Sequence, residues 1–297
     1  MNAKNALFTI LIVVLISGLF VFASIGSQKD RLLRQGTAMS FPASADFAGE
    51  PAPLNILDVK ERLDKELVVN ANYHSATIFH LKRAHRYFPV IEPILKQYNV
   101  PDDFKYLAVI ESGLANVVSG SGARGFWQFM DNTAKEKGLE VTETVDERYH
   151  LEKATVAACK YFLAAKEKFG SWTMVAASYN AGMNGIAQRL EEQKVGNYYD
   201  LALPDETSRY VFRILAVKEI MKNPAMYGFT LYPSELYNVI PTKKIAVDST
   251  INNLADFALK QGVNYKILKL HNPWLRDKKL SNASKKTYEI EIPTEGY

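Results

Sequence analysis

In Tyr106-Leu107-Ala108-Val109-Ile110-Glu111-Ser112 a single carboxyl group closes an otherwise apolar run. Apolar neighbours disfavour the charged form of a carboxyl group, so its pKa rises and it keeps a proton near neutral pH. In that state it is a general acid, fit to protonate a leaving oxygen such as that of a glycosidic bond. Taken alone, Glu111 also fits a solvated residue in the last turn of a helix beside a loop. A glycine-rich turn, Ser119 to Gly125, follows, and then Phe126-Trp127-Gln128-Phe129-Met130. Gln128 carries a donor and an acceptor, the pair that an N-acetyl group or a sugar hydroxyl requires, although a surface amide has the same composition. Phe126 reads as core, while Trp127 is open between core packing and stacking on a sugar face.

Two later stretches add polar groups. Tyr179-Asn180 precedes Ala181-Gly182, small residues that let a backbone or ligand approach closely and that also suit a helix C-cap. Glu206 and Tyr210 are four residues apart and share one helix face. A solvated helix start would place Glu206 there equally well, because the dipole favours an acid.

The elements that must carry these groups are mainly helices. Helical spacing runs from about Ile56 to Ile220, with Ile78, Leu81 and Ala84 in one segment and Ile91, Ile94 and Leu95 in the next. Pro101-Asp102-Asp103 has the acidic first turn of a helix start, and further helices are expected over Glu152–Lys168, Trp172–Tyr179 and Glu206–Met221. Beyond Pro224 the texture changes to a β-α-α-β order: alternation over Lys244–Val247, helical patterns over Asn253–Gln261 and Tyr265–His271, and alternation over Thr287–Ile292.

The four polar stretches resemble, in order, the blocks of the family 1 lytic transglycosylases, of the membrane-bound murein transglycosylase D type. They are Glu111-Ser112, Gly125 to Met130, Ser178 to Gly182, and Glu206 to Val211. The resemblance implies a mainly α fold, with a lysozyme-like α-helical catalytic domain, and lytic cleavage of peptidoglycan at the MurNAc–GlcNAc bond. It implies Glu111 as catalytic acid/base, and Ser119, Gln128, Met130, Tyr179, Asn180, Glu206 and Tyr210 as substrate-binding residues. Neither a metal nor a cofactor is implied. The match departs from the family in two places. The interval from Glu111 to Gly125 is one residue short, with Ala115-Asn116 where Asn-Pro is usual, so Ser119 occupies the binding-serine position only by alignment of the turn. Asp146-Glu147-Arg148 is followed by Tyr149-His150 in place of an acidic continuation and reads as structural, capping the helix from Glu152. The C-terminal β-α-α-β module resembles a LysM domain through Ile251–Leu254, Gly262-Val263, Leu270–Pro273 and Ile290–Pro293. That resemblance implies either affinity for N-acetylglucosamine polymers or a stabilising appendage. Two alternatives to the lyase stand beside it: a hydrolysing muramidase on the same fold, and a non-catalytic peptidoglycan-binding envelope protein.

The composition sets outer bounds. A chain of 297 residues has room for a sizeable domain plus a smaller one, and 47% hydrophobic against 23% charged residues is ordinary globular usage. The net charge of +4 comes with no long basic run, which argues against a nucleic-acid partner. Cys159 is the sole cysteine, so an internal disulfide, a cysteine-rich zinc set and acylation behind the first segment are all excluded. Ala6 to Ile25 is uncharged, and twenty residues at ~1.5 Å each span about 30 Å, the thickness of a hydrocarbon core. The expected organisation is an export signal or membrane anchor over 1–26, a tether over 27–53, the lysozyme-like domain over 54–230 and the module over 241–293. The body then lies in the bacterial envelope, on the periplasmic side, with the glycan strands of peptidoglycan as its partner.

Overall fold

A computed structural model describes residues 40–296 of the chain. The apolar segment Ala6 to Ile25 lies outside the described residues, and among those residues no helix is long and apolar enough to cross a membrane.

The first long helix, α1 (Leu57–Asn72), buries Val59, Leu63 and Leu67, a four-residue spacing that puts one stripe inside. α2 (His74–Gln97) buries Ala84, Ile91 and Leu95. The sequence divides this stretch into two segments, yet the helix is continuous through Pro89 and Pro93. Each proline removes one backbone donor. Ile91 and Leu95, both 0% exposed, hold the turns across that loss, since a fully buried side chain of this size contributes about 1.5–3 kcal/mol. A 3-10 turn, Asp102–Phe104, leads into α3 (Lys105–Ser112), which carries Glu111. Asp103 accepts hydrogen bonds from the Ala48 backbone N–H at 2.7 Å and from Lys218 Nζ at 2.6 Å, so it ties two distant segments together.

After the irregular segment 113–130 come α4 (Asp131–Glu136), α5 (Leu151–Phe169), α6 (Trp172–Ala181), α7 (Met183–Gln193) and α8 (Asp205–Lys222). α8 buries Tyr210, Val211, Phe212, Ile214, Leu215, Ala216, Val217 and Ile220, which occupy every side of the helix. A helix apolar all round must be surrounded, and α8 packs against α1, α3 and α6. Cys159 is fully buried in α5.

Residues 41–53 correct the expected tether. A two-strand hairpin, β1 (Asp46–Phe47) with β2 (Glu50–Pro51), lies on the body. Phe47 is 0% exposed, 5.0 Å from the Phe104 ring. The Glu50 carboxylate accepts from the backbone N–H groups of Trp172 (2.6 Å) and Thr173 (2.9 Å) and from the Ser171 hydroxyl (2.7 Å). An anion from outside the helix thus satisfies the orphan donors at the start of α6.

The C-terminal module is β3 (Thr242–Val247), α9 (Leu254–Lys260), α10 (Tyr265–His271) and β4 (Tyr288–Pro293), the β-α-α-β order expected from the sequence. β3 and β4 pair antiparallel with Ile245 opposite Ile290. The module does not hang free. Val145 and Tyr149 belong to the same apolar cluster as Leu254, Leu268, Trp274 and Ile290. Backbone bonds Asp146 N to Trp274 O (2.9 Å) and Arg276 N to Thr144 O (2.8 Å) join the two, as do ion pairs from Lys286 to Glu140 and Glu147. From Phe41 onward the chain is one compact unit.

Candidate active site

α3 ends where Gly113 takes a left-handed conformation (φ 61°) and its N–H closes on Val109 O at 2.8 Å. Glu111 therefore sits in the last turn of the helix. Arg83 Nη1 bonds Gly113 O (3.0 Å) and Arg213 Nη2 bonds Ile110 O (3.1 Å), two cations on the carbonyl end of the helix where the dipole favours them. The Tyr210 hydroxyl donates to Glu111 Oε1 at 2.5 Å. Burial pushes the Glu111 carboxyl up to about 7, with a smaller upward push from Glu206, against the downward pull of the Tyr210 bond and of Arg213. The burial expected from Tyr106–Ile110 is thus the dominant effect. Tyr179 and Tyr210 are themselves raised well above the ordinary phenol range by burial and by the Glu111 charge, so both act only as neutral donors.

The loop beyond α3 is fixed at its base. Ser112 Oγ donates to Phe126 O at 2.8 Å, and Tyr179 in α6 donates to Trp127 O at 2.6 Å. Trp127 is 0% exposed and its Nε1–H bonds Thr155 Oγ1 at 2.9 Å, which assigns it to the core rather than to a sugar face. Phe126 and Phe129 are buried as well. At Gly125 (φ 81°) an added Cβ would lie 1.9 Å from Arg148 O, so this position admits no side chain. Arg148 is held by Asp146, at 2.8 Å, and Asp146 caps the 3-10 turn Glu147–Tyr149 rather than α5 itself. The Asp-Glu-Arg block is structural, as expected, with the cap placed one element earlier.

Gln128 adopts a left-handed backbone (φ 49°), and its Nε2 donates to Gly125 O (2.7 Å) and Val117 O (3.2 Å). Its amide nitrogen is committed to the loop, and the acceptor oxygen has no protein partner among the described residues. Ser119 Oγ accepts from Ala123 N at 3.0 Å and stabilises the turn. Met130 is exposed at the head of α4. No hydrogen bond joins Ser119 or Met130 to Glu111, Tyr179 or Tyr210 among the described residues. Asn180 Nδ2 donates to Glu206 Oε1 (3.2 Å) while its Oδ1 accepts from Thr207 (2.8 Å), so the third and fourth blocks meet directly.

Sequence reasoning missed Arg213, Arg83 and His80. Arg213 follows Tyr210 by three residues, a helical spacing that was there to be read. His80 and Arg83 come from α2 and carry no local signal. Burial, with Arg83 and Arg213 beside it, pushes His80 down to about 4, so the imidazole is neutral next to Gly113. Among the described residues no group of three or more His, Cys, Asp or Glu is placed to hold a metal ion.

Residues 88–201 match the model of the transglycosylase SLT domain. The chain carries an SLT domain. The matched stretch includes Glu111, Gln128, Tyr179 and Asn180 and stops short of Glu206 and Tyr210. Residues 243–296 match the soluble lytic transglycosylase C-terminal LysM-like domain, following the SLT domain as they do in space. Over 235 residues the chain is 27% identical to membrane-bound lytic murein transglycosylase D of Escherichia coli strain K12, and equally to that of Escherichia coli O6:H1. The match covers 76% of this chain and 50% of each relative, so this SLT-domain chain spans about half the length of the curated relatives it matches.

Proposed function

We propose that the chain is a peptidoglycan lytic transglycosylase acting on the glycosidic bond between N-acetylmuramic acid and N-acetylglucosamine. The observation that carries this reading is Glu111 itself: a carboxyl pushed up to about 7, hydrogen-bonded by Tyr210, within the stretch that matches the SLT domain. Protonated, Glu111 gives its proton to the glycosidic oxygen as the C1–O bond breaks. The muramoyl C6 hydroxyl then attacks C1, its proton returns to Glu111, and a 1,6-anhydro ring closes. The attacking group belongs to the substrate, so its effective concentration is already high and no captured water is needed. Asp131 and Asp146, two further acids of the SLT domain, are occupied by Lys135 (2.6 Å) and by Arg148. Gln128 Oε1, Asn180 and Glu206 are suited to the sugar hydroxyls and acetamido groups, with Ser119 and Met130 on either side of Gln128 in its loop.

A hydrolysing muramidase is the second reading. Glu206 favours it, since its carboxylate lies near enough to raise Glu111 and could activate water. The products separate the two: mass spectrometry of muropeptides released from purified sacculi is expected to find anhydro ends. Reducing ends in their place would overturn the lyase. We place the chain in the cell envelope, on the periplasmic side, either held by the apolar segment within residues 1–26 or exported by it as a cleaved signal.

A further inference from the structure

A cavity of about 360 Å³ lies between the SLT domain and the C-terminal module, away from Glu111. α2 supplies one wall with Tyr87, which meets Phe126 edge-on at 4.8 Å. Tyr149 and His150 come from the SLT body, and Trp274 and Glu291 from the module. Tyr149 and Trp274 are 4% and 3% exposed, yet the phenol O–H and indole N–H have no protein partner among the described residues. Among the described residues, the unpartnered side-chain atoms fully sealed from solvent are Glu66 Oε2, Arg124 Nε and Tyr199 Oη. The Tyr149 and Trp274 groups are not among these, so each reaches accessible space, and the cavity is the space both residues line. Open to that space and uncommitted to the protein, both donors are available to a ligand that replaces water there.

Glu291 adds an acceptor. Its strand neighbours Ile290 and Ile292 point into the module core, so Glu291 faces the other way, onto the cavity. Lys244 is its cross-strand partner, but the ammonium is drawn to Glu152 (3.0 Å) and Glu289 (3.3 Å). His150, stacked on Trp274 at 5.8 Å, is pushed down to about 4 by burial and is a neutral donor and acceptor. Donors on aromatic carriers, the carboxylates of Glu291 and Glu152, the cations of Lys244 and Arg86 at the rim, and apolar ring walls suit a saccharide, whose hydroxyls accept and donate around a C–H face.

We propose that this inter-module cavity is a second carbohydrate site, taking one or two N-acetylhexosamine units of a glycan strand. The choice of amino sugar rests on the function proposed above. The site has a route to the reaction centre, because Phe126 lines the cavity and its carbonyl anchors Ser112, next to Glu111.

The test follows the indole N–H resonance of Trp274 in the full chain, assigned with Trp274→Phe, during titration with N,N′-diacetylchitobiose. A saturable shift is expected, with Tyr149→Phe and Glu291→Gln each weakening it up to about tenfold, the worth of one hydrogen bond. The Trp127 indole, bonded to Thr155, should stay still. No shift at millimolar saccharide, a shift unaltered in both variants, or a response only to a stem-type peptide such as L-alanyl-D-glutamate would overturn the proposal. Muropeptide release from sacculi is scored separately, so failure of the cavity and failure of the lyase reading are distinguishable.

Discussion

Replacing Glu111 with Gln should make the protein more stable, and by an amount that depends on pH. A carboxyl whose pKa rises from 4.5 unfolded to about 7 folded holds its proton longer in the native state. As pH climbs through that window the unfolded chain has released the proton and the native chain has not, so folding is progressively disfavoured. The penalty is below about 1 kcal/mol at pH 5 and about 3 kcal/mol at pH 8, where it has levelled off. Gln keeps an acceptor for the Tyr210 hydroxyl and never ionises, so the variant escapes the penalty. At about 2–4 °C per kcal/mol for a body of this size, the variant's Tm should exceed the parent's by roughly 6–12 °C at pH 8, and by little at pH 5. Paired thermal melts at the two pH values measure it. An equal gain at both, or a loss at pH 8, would refute the view that burial dominates at Glu111. The same variant should lose glycan cleavage, since the group that destabilises the fold is the one proposed to do the chemistry.

Other consequences can be read from single contacts. Tyr210→Phe removes the bond that favours the ionised form of Glu111, so the alkaline limb of the pH–rate profile should move up by about one unit while kcat falls roughly tenfold or more. Gly125→Ala, facing Arg148 O at 1.9 Å, should cost more than about 3 kcal/mol by chemical denaturation, whereas Gly122→Ala, with open space at its Cβ, should cost less. At Glu50, burial pulls the pKa up, but the bonds from Ser171, Thr173 and Trp172 outweigh it and the carboxyl sits below its usual value. Its contribution is therefore present above the unfolded value of 4.5 and lost as pH falls through the lower folded one. Glu50→Gln should cost about 1–2 kcal/mol at pH 7 and progressively less on acidification, checked by denaturant melts.

The sequence carried the surroundings of Glu111 better than the more distant parts of the fold. Glu111 was legible because five preceding residues, one of them charge-free tyrosine and four aliphatic, leave a carboxyl little water. Glu206 and Tyr210 were legible because helical spacing is a local property. Trp127 was not, since an indole in a dense aromatic run looks the same whether it stacks on a ligand or on Phe162, and only the Thr155 bond decides. Gln128 was half legible: its donor and acceptor are evident from its type, but the loop claims its amide nitrogen through a left-handed turn that no residue type announces. Residues 41–53 read as a tether because two-residue strands have no periodicity to detect, and their order comes from Phe47 and Glu50 reaching partners far along the chain. The docking of the module through Val145 and Tyr149 is likewise a long-range matter, invisible to any local pattern.

The most direct measurement is the titration of the Glu111 carboxyl itself, by infrared difference spectra between the parent and Glu111→Gln from pH 4 to 9. A protonated carboxyl band that persists at pH 6 and disappears with a midpoint of about 7 is the expected result. A midpoint near 4.5, the ordinary value for a solvated glutamate, would contradict it and leave no proton on position 111 to give to a sugar.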